Sequence, residues 1–386
     1  MPATSVTPAR IEWTEGEVQH SARWRSESGM PAPKKVVIAD DKTPADTAYR
    51  LACEGTALLW RGDFQNARQL LQALARRTDH KGDKGKRAKA PKVPASPAEA
   101  FHLHRQAQSQ RARTLAMLLI PFEADYTIPL RRAPDVQLAC NEAYGRGEQP
   151  FVASLRELLG LIGAHEWRRN GVEIAALGAR IHPHYGVFSP IRGEYLELVA
   201  SAPLAPGIDM AFDIGTGTGV IGAVLAKRGV PRVIATDMDQ RALSCARENL
   251  LRLELDGQVK VMEADLFPDG RAPLVVCNPP WLPGRPSSSI EYAIYDPYSH
   301  MLKGFLHGLA AHLAPQGEAW LILSDLAEHL GLRPRAQLLE WIAAGGLQVI
   351  ERHDIRPTHP RASDAADPLH AARAAEVTSL WRLGAR

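Results

Sequence analysis

Residues 210–229 read MAFDIGTGTGVIGAVLAKRG. A short apolar run carrying one acid, Asp213, meets three glycines spaced two apart, Gly215, Gly217 and Gly219. Val, Ile, Ala and Leu then follow at helical spacing up to Lys227. Strand, glycine turn and helix in this order is the building unit of an open α/β sheet. The glycines mark a turn where the backbone approaches a ligand without interference from Cβ atoms.

The same rhythm continues outward from this stretch. Strands are predicted at 210–214, 232–236, 258–262, 274–277, 319–323, 348–351 and 377–381, separated by turns and amphipathic helices. Such alternation implies a mostly parallel sheet covered by helices. The first three of these strands end in acids: Asp213, then Asp237 in IATDMDQRAL, then Asp265, followed by Leu266, in EADLF. Each acid alone reads as a helix cap or a turn residue. Three at successive strand ends point to the crevice outside the carboxyl ends of the strands, where open α/β sheets bind ligands.

Two cofactor chemistries compete for that crevice. Gly217, Gly219 and Gly222 spell GxGxxG with Asp237 at the end of the next strand, a pattern that admits a nicotinamide-dependent oxidoreductase. Asp213 weighs against it, because a carboxylate just ahead of the glycines would face an anionic pyrophosphate. S-adenosylmethionine brings a sulfonium and an ammonium instead, which the acid attracts. On that reading Asp213, Gly215, Thr216, Gly217 and Gly219 form a D-x-G-x-G-x-G loop. Asp237 accepts from the two ribose hydroxyls, and Asp265 receives the adenine amino group with Leu266 beside it.

Residues 275–284, VVCNPPWLPG, begin as a buried strand and then run into an amide, two prolines and an indole. Proline cannot donate to a sheet ladder and holds the residue before it extended, so the strand must stop at Asn278. The segment suits a planar NH2 group. Asn278 offers a side-chain carbonyl, Pro279 a backbone carbonyl, Pro279 and Pro280 a rigid turn without competing donors, and Trp281 a face for stacking. Two acceptors aimed at an amine's hydrogens orient its nitrogen for in-line displacement at a methyl group. Asn278, Pro279, Pro280 and Trp281 are therefore the candidate catalytic residues, and Asn278 also borders the cofactor.

With FDIGTGTGV, TDMD, ADLF and NPPW in this order, the chain from about residue 185 resembles class I S-adenosylmethionine-dependent methyltransferases. The resemblance implies a Rossmann-like seven-stranded sheet with one antiparallel strand at its C-terminal edge. NPPW resembles the (N/D)PP(aromatic) signature of members that methylate amino groups: release-factor glutamine N5-methyltransferases, ribosomal RNA guanine N2-methyltransferases and adenine N6-methyltransferases. Those families more often carry Tyr or Phe where Trp281 stands. Upstream, HYGVFSPIRGEYLELV resembles the GVFS segment of the guanine enzymes. It makes Arg192 and Glu194 candidate lid residues, or else an ordinary helix start capped by Ser189 with Pro190 after it.

The rest of the chain carries less chemistry. Residues 1–42 read as a poorly ordered arm rich in Pro, Ser and charge, and 43–150 as a mainly helical region. A helical hairpin is expected to turn at Gly62 and Asp63. At 80–97 Lys81, Lys84, Lys86, Arg87, Lys89 and Lys92 sit among Gly, Ala and Pro: a solvated linker, or an arm for phosphates. The methyltransferase domain is assigned to 151–386.

Of the 386 residues 23% are charged, with net charge +3, too mild to demand a nucleic-acid partner. Cys53, Cys140, Cys245 and Cys277 are scattered, and His182, His184, His300, His307 and His312 lack ligand spacing, so no metal is expected and the histidines read as surface or cap residues. Tyr292 and Tyr295 read as loop residues that pack locally or line a target pocket. With no spanning apolar run and no signal sequence, a cytoplasmic protein is expected.

The function expected is N-methylation of a planar NH2 group in a macromolecular substrate. An RNA guanine or adenine is placed first and a glutamine of a translation factor second. A non-catalytic binding protein on the same scaffold is a further alternative.

Overall fold

The computed structural model describes residues 9–79, 94–190, 193–287, 289–357 and 364–386. The lysines of the basic linker and Arg192 lie outside the described residues. The chain divides into two compact units: Met1–Val93 with Leu103–Glu166, and Pro94–His102 with Trp167–Arg386. The division thus falls later than residue 150, because Phe151–Ser154 is a strand of the first unit's sheet.

The first unit corrects two expectations. Its strands are β1 (Arg10–Glu15), β2 (Val18–Trp24), β3 (Lys35–Ala39), β4 (Thr56–Trp60), β5 (Leu118–Phe122) and β6 (Phe151–Ser154). They form one six-stranded sheet in the order β1-β2-β6-β5-β4-β3. Residues 10–39 are therefore not an arm. In β1 Ile11 and Trp13 are buried while Arg10, Glu12 and Thr14 between them face solvent, the two-residue period of a half-buried strand.

Nor is the region mainly helical. The expected hairpin is a helix, a strand and a helix: Ala45–Cys53, β4 and Phe64–Asp79. All five residues of β4 are buried. A continuous apolar run has no period of its own, so it cannot be told from a buried helical turn until its neighbours are known. The core on one side of the sheet joins Ile11, Trp24, Leu59, Leu119 and Val152, drawn from five of the six strands.

The second unit opens with a hairpin of β7 (Val172–Ile174) and β8 (Ala179–Ile181). The main sheet follows: β9 (Met210–Ile214), β10 (Arg232–Asp237), β11 (Val259–Glu263), β12 (Ala272–Cys277), β13 (Leu313–Ser324), β14 (Leu347–Ile355) and β15 (Thr378–Ala385). Its order is β11-β10-β9-β12-β13-β15-β14. The sheet is seven-stranded and mostly parallel, as expected. The antiparallel strand β15 is inserted between β13 and β14 rather than standing at the edge.

Apolar residues fill both faces of this sheet. On one, Leu274, Val276 and Trp320 pack with Val224 and Leu225 of the helix Val220–Lys227. On the other, Phe212, Val275 and Leu321 pack with Phe305 and Leu309 of the helix His300–His312. The chain leaves β9 for β10 on one side and reaches β12 on the other. A crevice therefore opens at the carboxyl end of β9, where the strand order reverses.

Candidate active site

The glycine loop fills that crevice. The N–H groups of Gly215 and Thr216 donate to the Thr236 carbonyl at 2.9 and 2.8 Å, and that of Gly219 to the Thr216 carbonyl at 2.9 Å. Gly219 has φ +81°, and a Cβ there would stand 3.2 Å from Ala246 Cα, so both conformation and space require glycine.

Asp213 is wholly buried. Its Oδ2 accepts from Thr216 Oγ1 at 2.6 Å and from the Gly222 N–H at 2.9 Å, while Oδ1 is buried without a partner. Burial pushes this carboxyl up to about 6, against the pull of those two bonds and with a further push from Asp237. Asp237 ends β10. Its Oδ2 accepts the Gly217 N–H and its Oδ1 the Asp239 N–H, both at 3.0 Å, and burial raises its pKa as well.

Leu266 has φ +67°, and its carbonyl accepts Thr236 Oγ1 at 2.6 Å, which ties the turn after β11 to the end of β10. Asp265 beside it is exposed.

Strand register brings the two motifs together. Cys277 of β12 lies opposite Ile214 of β9, so Asn278 and Gly215 leave the sheet side by side. Pro279 is buried, and Asn278 and Pro280 are half-buried. Trp281 differs from the expectation of an open stacking face. Its ring is half-buried against the cores on both sides of the sheet, and its Nε1 donates to Asn278 Oδ1 at 2.8 Å. Phe or Tyr cannot make this bond from that ring position. The indole donor therefore accounts for Trp here and fixes which way the amide points.

Several residues of the site carry weak sequence signals or none. Glu194 starts the helix Glu194–Ser201 and is buried with Oε1 unpartnered. Its neighbour Tyr195 has a phenol pushed up by burial and then by the charges of Asp213 and Glu194. Asn249 is buried on the helix Gln240–Arg252. Its Oδ1 accepts the His182 N–H at 2.8 Å and its Nδ2 donates to the Thr218 carbonyl at 3.1 Å, joining the 182–186 segment to the glycine loop. Only the apolar spacing of that helix hinted that Asn249 faces inward.

Met301 Cε would lie 2.6 Å from a Cβ at Gly215, so this side chain borders the loop. Met238, directly after Asp237, is 64% exposed. His182 and His184 are half-buried rather than on the surface, with His184 Nε2 2.7 Å from Glu248 Oε2. Among the described residues no three His, Cys, Asp or Glu side chains converge as a metal site, and no helix is long and apolar enough to cross a membrane.

Residues 179–335 match the family model of the methyltransferase small domain. The chain is 32% identical over 136 residues to the tRNA1(Val) (adenine(37)-N6)-methyltransferase of Pedobacter heparinus, covering 31% of this chain and 58% of that protein. It is 30% identical over 140 residues to the release factor glutamine methyltransferase of Cereibacter sphaeroides, covering 32% of this chain and 50% of that protein. The chain thus spans about half the length of these two relatives. A methyltransferase structure from Pyrococcus furiosus aligns with 60% of this chain and 99% of its own at 16% identity and a TM-score of 0.39. Every residue of the site lies within 179–335, the segment that is similar to the methyltransferase small domain.

Proposed function

We propose that the protein is an S-adenosylmethionine-dependent N-methyltransferase whose acceptor is the exocyclic amine of adenine or guanine in an RNA. The observation that carries this reading is the Asn278 amide, held by Trp281 at the end of β12 beside the glycine loop.

The cofactor fits the residues present. Asp213 Oδ1 and Glu194 Oε1 are buried carboxylate oxygens without partners, an arrangement that costs free energy until positive charge or a donor reaches them. S-adenosylmethionine supplies both an ammonium and a methyl group on a sulfonium. Asp237 holds the ribose hydroxyls, Leu266 and the exposed Met238 offer apolar surface to the adenine, and Asp265 receives its amino group.

The chain's own part in the reaction is positioning. Asn278 Oδ1 has a second lone pair beyond the one given to Trp281, and it accepts one hydrogen of the target amine while the Pro279 carbonyl accepts the other. The lone pair on nitrogen is thereby aimed at the methyl carbon. The N–C bond forms as the S–C bond breaks, and the surplus proton of the amine passes to solvent without a dedicated base.

A glutamine side-chain amide is also a planar NH2 and meets the same two acceptors. The release-factor relative supports this second reading. Transfer of tritiated methyl from S-adenosylmethionine into a lysate lacking this protein, divided afterwards by ribonuclease and by protease, separates the two. Ribonuclease-sensitive label is expected. Protease-sensitive label moves the acceptor to a polypeptide, and no label in either fraction overturns the enzyme.

A further inference from the structure

After Trp281 the chain loops out and comes back to the site. The Leu282 N–H donates to the Ile294 carbonyl at 3.1 Å and the Asp296 N–H to the Leu282 carbonyl at 2.9 Å. The inner side of this loop is anchored, with Leu282, Ile294 and Tyr295 packed around Phe101 and Leu326. The outer side carries Tyr292 and Tyr298, 67% and 73% exposed.

Tyr298 and Ser299 occupy the left-handed region in succession, at φ 59° and 54°. L residues avoid it because Cβ crowds the following carbonyl oxygen. Asp296 holds the pair there. Its buried carboxylate accepts the N–H groups of Met301 and Leu302, each at 3.1 Å, and Met301 is the side chain that borders Gly215. Strain of this kind persists only where the surroundings over-determine it, and it collects at functional sites. Its effect is to hold one aromatic ring out in solvent three residues before Met301, the side chain that borders Gly215. Arg285 Nη2 donates to the Tyr298 hydroxyl at 3.1 Å and sets a permanent positive charge beside the ring.

We propose that Tyr298, backed by Arg285, is a ledge that stacks the nucleotide next to the target base of a single-stranded RNA. This rests on the methyltransferase reading above. A base whose exocyclic amine is to react must leave its stack, so its neighbour loses a stacking face. An aromatic ring beside a cation replaces that face and attracts the adjoining phosphate. A peptide carrying a glutamine creates no such vacancy.

The test uses the full chain with S-adenosylhomocysteine and a short fluorescein-labelled single-stranded RNA of mixed sequence, read by anisotropy. Tyr298→Gly is the decisive variant, because glycine removes the ring and relieves the left-handed backbone, so the fold is kept or stabilised. RNA affinity is expected to fall about tenfold in Tyr298→Gly and to stay within about twofold in Tyr298→Phe. S-adenosylhomocysteine affinity, measured by calorimetry, is expected to be unchanged in both. The ledge is overturned if Tyr298→Gly binds RNA like the parent, if it loses both ligands together, or if the parent does not bind RNA.

Methyl transfer read on the same preparations separates the two ideas. Transfer to protein without RNA binding removes the ledge and keeps the enzyme. RNA binding that depends on Tyr298 without any transfer removes the enzyme and, with no target base to flank, overturns the ledge and leaves Tyr298 a plain RNA contact.

Discussion

Burial works against Asp213 as an anion, and its behaviour with pH follows from that. Its folded pKa, about 6, lies above the ordinary 3.8, so its contribution to stability is fully present below about pH 4 and lost as pH rises through about 6. A cationic ligand reverses the preference by favouring the ionised form. Affinity for S-adenosylmethionine is therefore expected to increase up to about tenfold per pH unit as pH climbs towards about 6, with one proton released, and to level off above it. Calorimetry in buffers of different ionisation heat measures both effects, and Asp213→Asn should flatten the dependence. On the proposed mechanism Asn278 and Trp281 act on rate instead. Trp281→Phe keeps the ring but removes the donor to Asn278 Oδ1. We expect methyl transfer to slow by about ten- to a hundredfold with cofactor affinity intact, and Asn278→Ala to lose at least as much, because small misplacements of reacting groups cost rate steeply. Unchanged single-turnover rates in both variants would remove Asn278 from the mechanism.

At the scale of elements, the site depends on how loops are tied to strands and helices. The glycine loop hangs from the Thr236 carbonyl of β10, and Asn249, from the helix after β10, holds it to the 182–186 segment. Asn249→Leu leaves the His182 N–H and the Thr218 carbonyl without their partner. At about 1–3 kcal/mol for each buried unsatisfied group, a loss of about 2–6 kcal/mol in stability is expected. Denaturant midpoints check this. Asn249→Asp, which keeps the acceptor for His182 and loses the donor to Thr218, should fall between. A general packing defect would make the two variants equal. In the first unit the corresponding tie is Asp63, whose buried Oδ2 takes Arg131 Nε at 2.9 Å and Arg132 Nε at 2.7 Å and whose Oδ1 caps the helix Phe64–Asp79 at the Gln65 N–H. The Arg132 bond foremost, then the Gln65 N–H and Arg131, hold its pKa down at about 2.

Across the whole molecule, the residues assigned to cofactor and acceptor all belong to the second unit, while the first has a sheet and core of its own. Asp63→Asn should therefore lower stability and leave S-adenosylhomocysteine affinity unchanged. Because the Asp63 pKa is depressed, the stability it contributes is present above about pH 4 and lost as pH falls through about 2, and the variant should lack that acid-side loss. A weakened cofactor affinity in Asp63→Asn would mean that the first unit supports the site. Most of the second unit was legible in the chain. Strand, glycine turn and helix recur with acids at the strand ends, and the prolines of NPPW stop β12 where expected, because these features rest on sterics and periodicity within a few residues. The sequence by itself determined the seven strands of the second unit's main sheet, the glycine loop and the position of the NPPW motif. Only the tertiary structure decided that residues 10–39 pair into a sheet, that TALLW is a buried strand, that Trp281 gives its N–H to Asn278, and that Asp213 and Glu194 each keep a buried oxygen unpaired. Strand pairing and burial depend on residues far apart in the chain, so no local pattern records them.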